Sequence, residues 1–148
     1  MRVDTRRPAG NSVAAEVLLR LAALTGEDGY RQRADEYLRA LSDMLVKHPQ
    51  GFGQVLGALD FALSSGHEIA IVGEPQQAAT QSLLAEVNRR YQPNSVLACT
   101  SPANREAAQT IPLLADRPLK DGQPSAYVCE HFACQAPVTS SEELAKLL

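Results

Sequence analysis

The apolar residues of this chain repeat with one period before residue 66 and with another after it. Up to residue 65 they recur every three or four positions, which is typical of helices that bury one face. The run 68–73 (EIAIVG) is then short, β-branched and closed by glycine, as buried strands are. The change predicts two parts, a helical segment over residues 1–65 and a small α/β unit over residues 66–148.

The helical segment is predicted to hold three helices. The first begins at Asn11 or Ser12, either of which can cap it, and ends at Thr25 before Gly26. Its only charged residues are Glu16 and Arg20, so it is apolar nearly all round and we expect something to cover it on several sides. The second helix (29–47) and the third (52–64) follow after short connections, which favours antiparallel neighbours.

The second part is predicted to be a three-stranded, mostly parallel α/β unit. A helix over 76–90 connects the strand at 68–73 to a second strand at 95–100, and such a βαβ unit has parallel strands. A short helix is expected within 102–114 and a third strand over 124–129. Ser140 or Ser141 is expected to cap a last helix, 142–148.

Composition favours a folded protein and excludes some partners. Apolar residues make up 45% of the 148 residues and charged residues 21%, as in globular domains. The net charge is −3, so no strong field favours nucleic acid or an anionic membrane, and no stretch approaches the roughly 20 apolar residues of a membrane span. Three cysteines are too few for a secreted disulfide framework, so we expect reduced thiols and a cytoplasmic protein.

The motifs for catalysis and cofactor binding are weak. The turn 73–76 (GEPQ) has one glycine, an acidic side chain and a proline, so Gly73 is interpreted as a strand-to-helix turn and not as a phosphate-binding loop. His48, His67 and His131 lie at element ends or in loops, away from evident catalytic partners. We therefore predict no catalytic residue, no metal and no cofactor, and any small-molecule ligand is unknown.

The run 129–134 (CEHFAC) leaves three interpretations open. A turn between Cys129 and Cys134 could bring the sulfurs together as a reversible thiol pair, although the spacing is not that of a C-x-x-C motif. A structural zinc needs four ligands, and even with His131 and Cys99 the usual paired spacing is missing. The favoured interpretation is two small buried residues that only pack.

Several stretches together resemble a known family. They are residues 8–14 (PAGNSVA), 18–21 (LLRL), 69–75 (IAIVGEP), 126–129 (AYVC) and 134–138 (CQAPV). In this order they resemble the C-terminal portion of the YyaL-like and spermatogenesis-associated thioredoxin-domain proteins, with Ala9 where the family pattern reads Ser. The resemblance implies an N-terminal thioredoxin-like domain and an (α/α) toroid similar to N-acylglucosamine epimerases and six-hairpin glycosidases, of which this chain would hold the last helices and the terminal α/β unit.

The resemblance carries over few candidate residues. Asn11 and Ser12 would lie on a loop facing a toroid pocket, and Cys129 and Cys134 would be a redox pair. The leading hypothesis is a non-catalytic structural or interaction module that self-associates, or binds a partner chain, through its first helix. A thiol-redox accessory domain and a sugar-binding remnant of the toroid are the alternatives.

Overall fold

The computed structural model describes residues 10–148, so the Pro8-Ala9 start of the resemblance lies outside the described residues. The chain divides into two compact units, one ending at Ser64 and the other spanning Ser65–Leu148. Whether each folds by itself as a domain stays a prediction. Helices hold 55% and strands 15% of the described residues, which confirms the mixed α/β class.

The helical unit contains four α-helices where three were predicted. They are α1 (Gly10–Thr25), α2 (Asp28–Ala40), α3 (Ser42–Lys47) and, after a 3₁₀ turn at Pro49–Gly51, α4 (Gly53–Leu63). The prediction of one continuous second helix was wrong, because the chain breaks at Leu41. Ser42 and Asp43 favour the first turn of a helix over its interior, and there they begin α3.

Helix α1 lies at the centre of this unit and packs against both α2 and α4. It ends as predicted at Gly26, whose φ of 70° is open to glycine without strain. The buried apolar residues of this unit are aliphatic except for two phenylalanines, and they are Ala15, Leu19, Ala34, Leu38, Leu41, Leu45, Phe52, Val55, Ala58 and Phe61. Only one side of α1 therefore contributes to this core.

The second unit is built on a four-stranded sheet in the order β2-β1-β3-β4. The strands are β1 (Glu68–Val72), β2 (Val96–Thr100), β3 (Ser125–Glu130) and β4 (Ala133–Cys134). The helices are α5 (Ala78–Arg89), α6 (Arg105–Thr110) and α7 (Ser141–Leu147). The strands β1 and β2 are parallel as predicted, with Glu68 opposite Val96.

The prediction of three mostly parallel strands was wrong for β3, which runs antiparallel to β1 with Val72 opposite Ser125. The segment between β2 and β3 holds only the six-residue α6 and a 3₁₀ turn, Pro112–Leu114. A helix of six residues rises about 9 Å, too little to run back along a five-residue strand of about 16 Å. The chain therefore re-enters the sheet at the same end of the strands from which it left. As a result, β3 runs in the opposite direction to β1.

Both faces of the sheet are covered. Ile69, Ile71 and Val128 lie on one face and pack with Leu83 of α5 and Leu144 of α7. The other face lies against the 3₁₀ turn, where Leu113 and Leu114 are buried. Cys129 alternates with Val128 along β3, so it belongs to this second face.

Among residues 10–148, no helix is both long enough and apolar enough to span a bilayer.

Candidate functional site

The hairpin of β3 and β4 joins the two cysteines that the sequence singled out. Cys129 lies directly opposite Cys134 in the antiparallel pair, and the two form a disulfide. Residues opposite each other on antiparallel strands have adjacent side chains, so the C-x₄-C spacing fits a two-residue hairpin turn. The expectation of reduced thiols that only pack is wrong for this pair, because the turn puts both sulfurs on one face of the hairpin.

The turn itself has an unusual backbone. His131 and Phe132 connect the strands, and both have positive φ angles, 50° and 62°. Two such residues define a type I′ turn, for which asparagine and glycine are the preferred residues. A bulky side chain in the left-handed region costs about 1–2 kcal/mol. The hairpin therefore holds backbone strain next to the disulfide.

A cation lies against the disulfide. Nη2 of Arg117 is 3.0 Å from Sγ of Cys134 and 3.9 Å from Sγ of Cys129. The guanidinium carbon is 5.3 Å from the centroid of the Tyr127 ring, and Nε of Arg117 is buried without a hydrogen-bond partner. The hydroxyl of Tyr127 donates to the Pro118 carbonyl at 2.6 Å, which fixes the backbone next to Arg117. Burial raises the pKa of Tyr127, and the charge of Arg117 opposes this in part.

Two acidic side chains, Glu68 and Glu130, connect the hairpin to residues 67 and 68. The backbone N–H of Phe132 donates to the buried carboxylate of Glu68 at 2.7 Å. Nε2 of His67 is 3.6 Å from Oε1 of Glu130. These contacts fix the turn from β1, so its strained backbone is held by side chains as well as by the disulfide.

A cavity of about 420 Å³ opens at the carboxyl ends of β1 and β2. Val72 and Thr100 end these strands at the cavity, and Arg105, Asp116 and Arg117 bring charged groups to it. Arg117 is thus shared between the cavity and the disulfide. Sequence reasoning missed Arg105, Asp116 and Arg117, because they lie in the connection 101–124, which has no motif that marks a site.

The third cysteine is separate from this pair. Cys99 of β2 is free and reaches the surface, and partial burial raises the pKa of its thiol. Within residues 10–148, no group of three or more His, Cys, Asp or Glu side chains is placed to hold a metal ion.

Gly73 has a packing role at the turn after β1. A Cβ at this position would lie 2.4 Å from Oγ1 of Thr80 and 2.8 Å from Cβ of Pro124. Only glycine lets the backbone approach both residues so closely. This agrees with its interpretation as a strand-to-helix turn.

The other predicted pair, Asn11 and Ser12, does not lie on a loop. Both residues are in the first turn of α1, where Asn11 is exposed and Ser12 is buried. The loop assignment was wrong because α1 begins at Gly10, one residue earlier than the capping pattern predicts. Their role in a pocket stays a prediction.

One face of α1 is apolar and partly exposed. Val13 is 40% exposed and Val17 is 48% exposed, and Ala14, Leu21 and Leu24 also reach the surface. At 100° per residue these five share one side of the helix, opposite the buried Ser12, Ala15 and Leu19. We call Val13, Ala14, Val17, Leu21 and Leu24 the outer face of α1.

The two charges of α1 are turned towards α4. Glu16 and Arg20 form an ion pair at 2.9 Å, and the Gln54 side-chain amide of α4 donates to Glu16. The guanidinium carbon of Arg20 is 4.8 Å from the centroid of the Phe61 ring. The helix therefore uses its charges in an internal contact and leaves apolar side chains in water.

The fold defines a mixed α/β protein with a separate helical unit and a disulfide-bonded hairpin. The chain is related to the C-terminal portion of spermatogenesis-associated protein 20, which confirms the resemblance seen in the sequence. It is 34% identical to the human protein over 98% of this chain and 19% of the relative, and 33% identical to the rat protein over 98% and 18%. An uncharacterised protein of Caenorhabditis elegans is 26% identical over 97% of this chain and 20% of its own length.

The chain thus spans about a fifth of the length of the curated relatives that it matches. No family profile matches it, and no solved structure does. The relatives are consistent with an uncharacterised module.

Proposed function

We propose that this chain is a non-catalytic interaction module that binds a second copy of itself through the outer face of α1. The observation that carries the proposal is the orientation of α1. Its charged pair, Glu16 and Arg20, is turned towards α4, while Val13 and Val17 are about half exposed. A surface helix ordinarily does the reverse, so this orientation fits a helix with a further neighbour.

The chemistry of the outer face favours a second copy as the occupant. Its five residues are all apolar, and Arg20, which borders Val13 on the helix, is already paired with Glu16, so two copies would meet without burying an unpaired charge. A two-fold axis across α1 would place the same residues on both sides, as in most homodimers. In an (α/α) toroid, which the family resemblance implies, each helix has neighbours on both sides, and the copy would take the place of such a neighbour. A partner chain that completes a toroid is the competing occupant.

Thermal unfolding across a wide range of protein concentration tests self-binding. Binding in the native state alone raises Tm with concentration, so the wild-type Tm should rise over a hundredfold range. Val17→Glu places a charge on the outer face and should remove this dependence. Val46→Glu is the matched control, since Val46 is 84% exposed on α3 and should leave the dependence intact. A wild-type Tm that does not change with concentration would contradict the proposal.

The sugar-binding alternative has less support. Asn11 and Ser12, which would represent a toroid pocket, lie in α1, whereas the cavity described above is formed by residues 72–118. A thermal shift with N-acylated hexosamines at millimolar concentration tests it, and no shift would count against sugar binding. We also propose a cytoplasmic location, which the low and odd number of cysteines supports, since Cys99 is free beside the one disulfide.

A further inference from the structure

We propose that the Cys129–Cys134 disulfide is a thiol–disulfide exchange site whose reaction partner is a protein dithiol, with Arg117 stabilising the thiolate that leaves. This goes beyond self-association and does not depend on it. It rests on the geometry of the hairpin, the unequal exposure of the two sulfurs and the position of the guanidinium.

Access decides which sulfur is attacked. Cys129 is 1% exposed, while Cys134 lies on the two-residue strand β4 and is only partly buried. An incoming thiolate therefore reaches Cys134. Attack there forms a mixed disulfide between the partner and Cys134 and breaks the bond to Cys129, which leaves as a thiolate.

The second step of the reaction completes the transfer of two electrons. The partner's other thiol, as a thiolate, attacks the partner sulfur in the mixed disulfide and releases Cys134 as a thiolate. Two electrons pass from the dithiol, which becomes a disulfide, to Cys129 and Cys134, which become thiols after taking two protons through water.

Arg117 is placed to favour the first step. Its Nη2 is 3.9 Å from the leaving sulfur and 3.0 Å from the attacked one, so a positive charge lies where negative charge develops. A nearby cation favours the thiolate over the thiol. The carboxylate of Glu68 lies on the strand that pairs with Cys129 and opposes this, but it accepts the Phe132 N–H.

The turn favours opening of the disulfide. His131 and Phe132 are kept at positive φ while β4 is pinned to β3. Once the bond is broken, β4 is held by its two paired residues, Ala133 and Cys134, and by the backbone hydrogen bonds that follow it, from the Gln135 N–H to the Val128 carbonyl and between Val138 and Ala126. Loss of the disulfide removes one of the constraints that keep both turn residues at positive φ, so the turn is expected to be less ordered in the reduced protein.

Reduction by dithiothreitol, a small dithiol, tests the site in the folded protein. Cys99→Ser is used as the background so that the free thiol does not interfere. Released thiols are trapped with an alkylating reagent and counted by mass spectrometry without denaturant. We expect a rate that increases linearly with dithiothreitol concentration. A rate that levels off at the rate of global unfolding would overturn the proposal, because the bond would then open only in unfolded chains.

Substitution of Arg117 tests its role. Arg117→Gln should slow reduction about tenfold, as loss of a hydrogen bond to a charged group does, and Arg117→Lys should restore most of the rate. Equal rates in all three proteins, with the same Tm in the oxidised form, would remove Arg117 from the proposal. A purely structural role of Arg117 would change Tm and not the reduction rate. Measuring both quantities therefore distinguishes a structural role from a role in the reaction.

The order of attack is tested with glutathione followed by rapid alkylation, which blocks the Cys129 thiolate before it or a second glutathione displaces the first from the mixed disulfide. Peptide mapping should find the glutathione adduct on Cys134. An adduct found mainly on Cys129 would contradict the assigned order.

Discussion

Glu16 and Arg20 form their ion pair at 2.9 Å on the side of α1 that packs against α4. The pair is about one-third exposed, so it adds little to stability on its own. Its importance is the orientation that it reveals: both charges of α1 are used in this contact, while the exposed side chains Val13 and Val17 are apolar. The buried and the outer faces of the same helix should therefore respond differently to truncation.

We expect Leu19→Ala to destabilise the protein by about 2–5 kcal/mol, because Leu19 is 1% exposed and its loss leaves a cavity. Val17→Ala, on the outer face, should cost about 0.5 kcal/mol or less at a concentration where the chain is monomeric. Urea unfolding followed by circular dichroism measures both. Equal losses would mean that α1 is packed in a different orientation.

The stability of the protein at acidic pH should depend on Glu86. Burial raises the pKa of this carboxyl, but hydrogen bonds from Arg90 and Arg89 and their charges outweigh it, so the pKa lies below its ordinary value of 4.5. Stabilisation by the ionised group is therefore present above pH 4.5 and is lost as the pH falls through the folded-state pKa.

Glu86→Gln should accordingly lower Tm at pH 7, and the difference from wild type should shrink below pH 4.5. Arg90 also donates to the Ala145 carbonyl and so connects α5 to α7. Thermal unfolding at pH 7, 5, 4 and 3 gives the comparison. A difference that is constant over this range would show that the charge of Glu86 does not contribute.

The last helix should depend on a single cap. Oγ of Ser140 accepts the N–H of Glu143 at 3.2 Å, so of the two predicted caps it is Ser140 that is used. Ser140→Ala should cost about 1 kcal/mol, while Ser141→Ala, inside the helix, should cost less. The free energies of unfolding of the two variants decide this, and the reverse order would move the start of α7 by one residue.

Gly73→Ala should destabilise the second unit. Its Cβ would lie 2.4 Å from Thr80 and 2.8 Å from Pro124, so both neighbours have to move. Overpacking of this kind costs about 1–3 kcal/mol. Gly57→Ala is the matched control, because a Cβ there meets no atom within 4 Å and alanine favours a helix. A stable Gly73→Ala variant would show that the turn is more adaptable than its contacts indicate.

The elements that sequence predicted well are those with local signals. The β-branched run at 68–72, the helix between β1 and β2, and the stop at Gly26 all depend on residues within a few positions. The direction of β3 could not be predicted in this way, because it depends on how far a connection of 24 residues travels before it rejoins the sheet.

The site could be predicted only in part from the sequence, for the same reason. The cysteine spacing made a bond between Cys129 and Cys134 one of the open interpretations, but the turn that closes it uses His131 and Phe132, which are not turn-forming residues. Arg117 lies 12 and 17 residues from the two cysteines and reaches them through the tertiary fold. No local sequence pattern predicts such a contact.

Self-association can be measured by sedimentation equilibrium of the wild-type chain at micromolar concentrations, which gives mass independently of shape. We expect a mass that rises from one chain towards two with concentration, and Val17→Glu should weaken this association at least tenfold while Val46→Glu leaves it unchanged. A wild-type mass of one chain throughout that range would contradict the claim that the outer face of α1 binds its own copy.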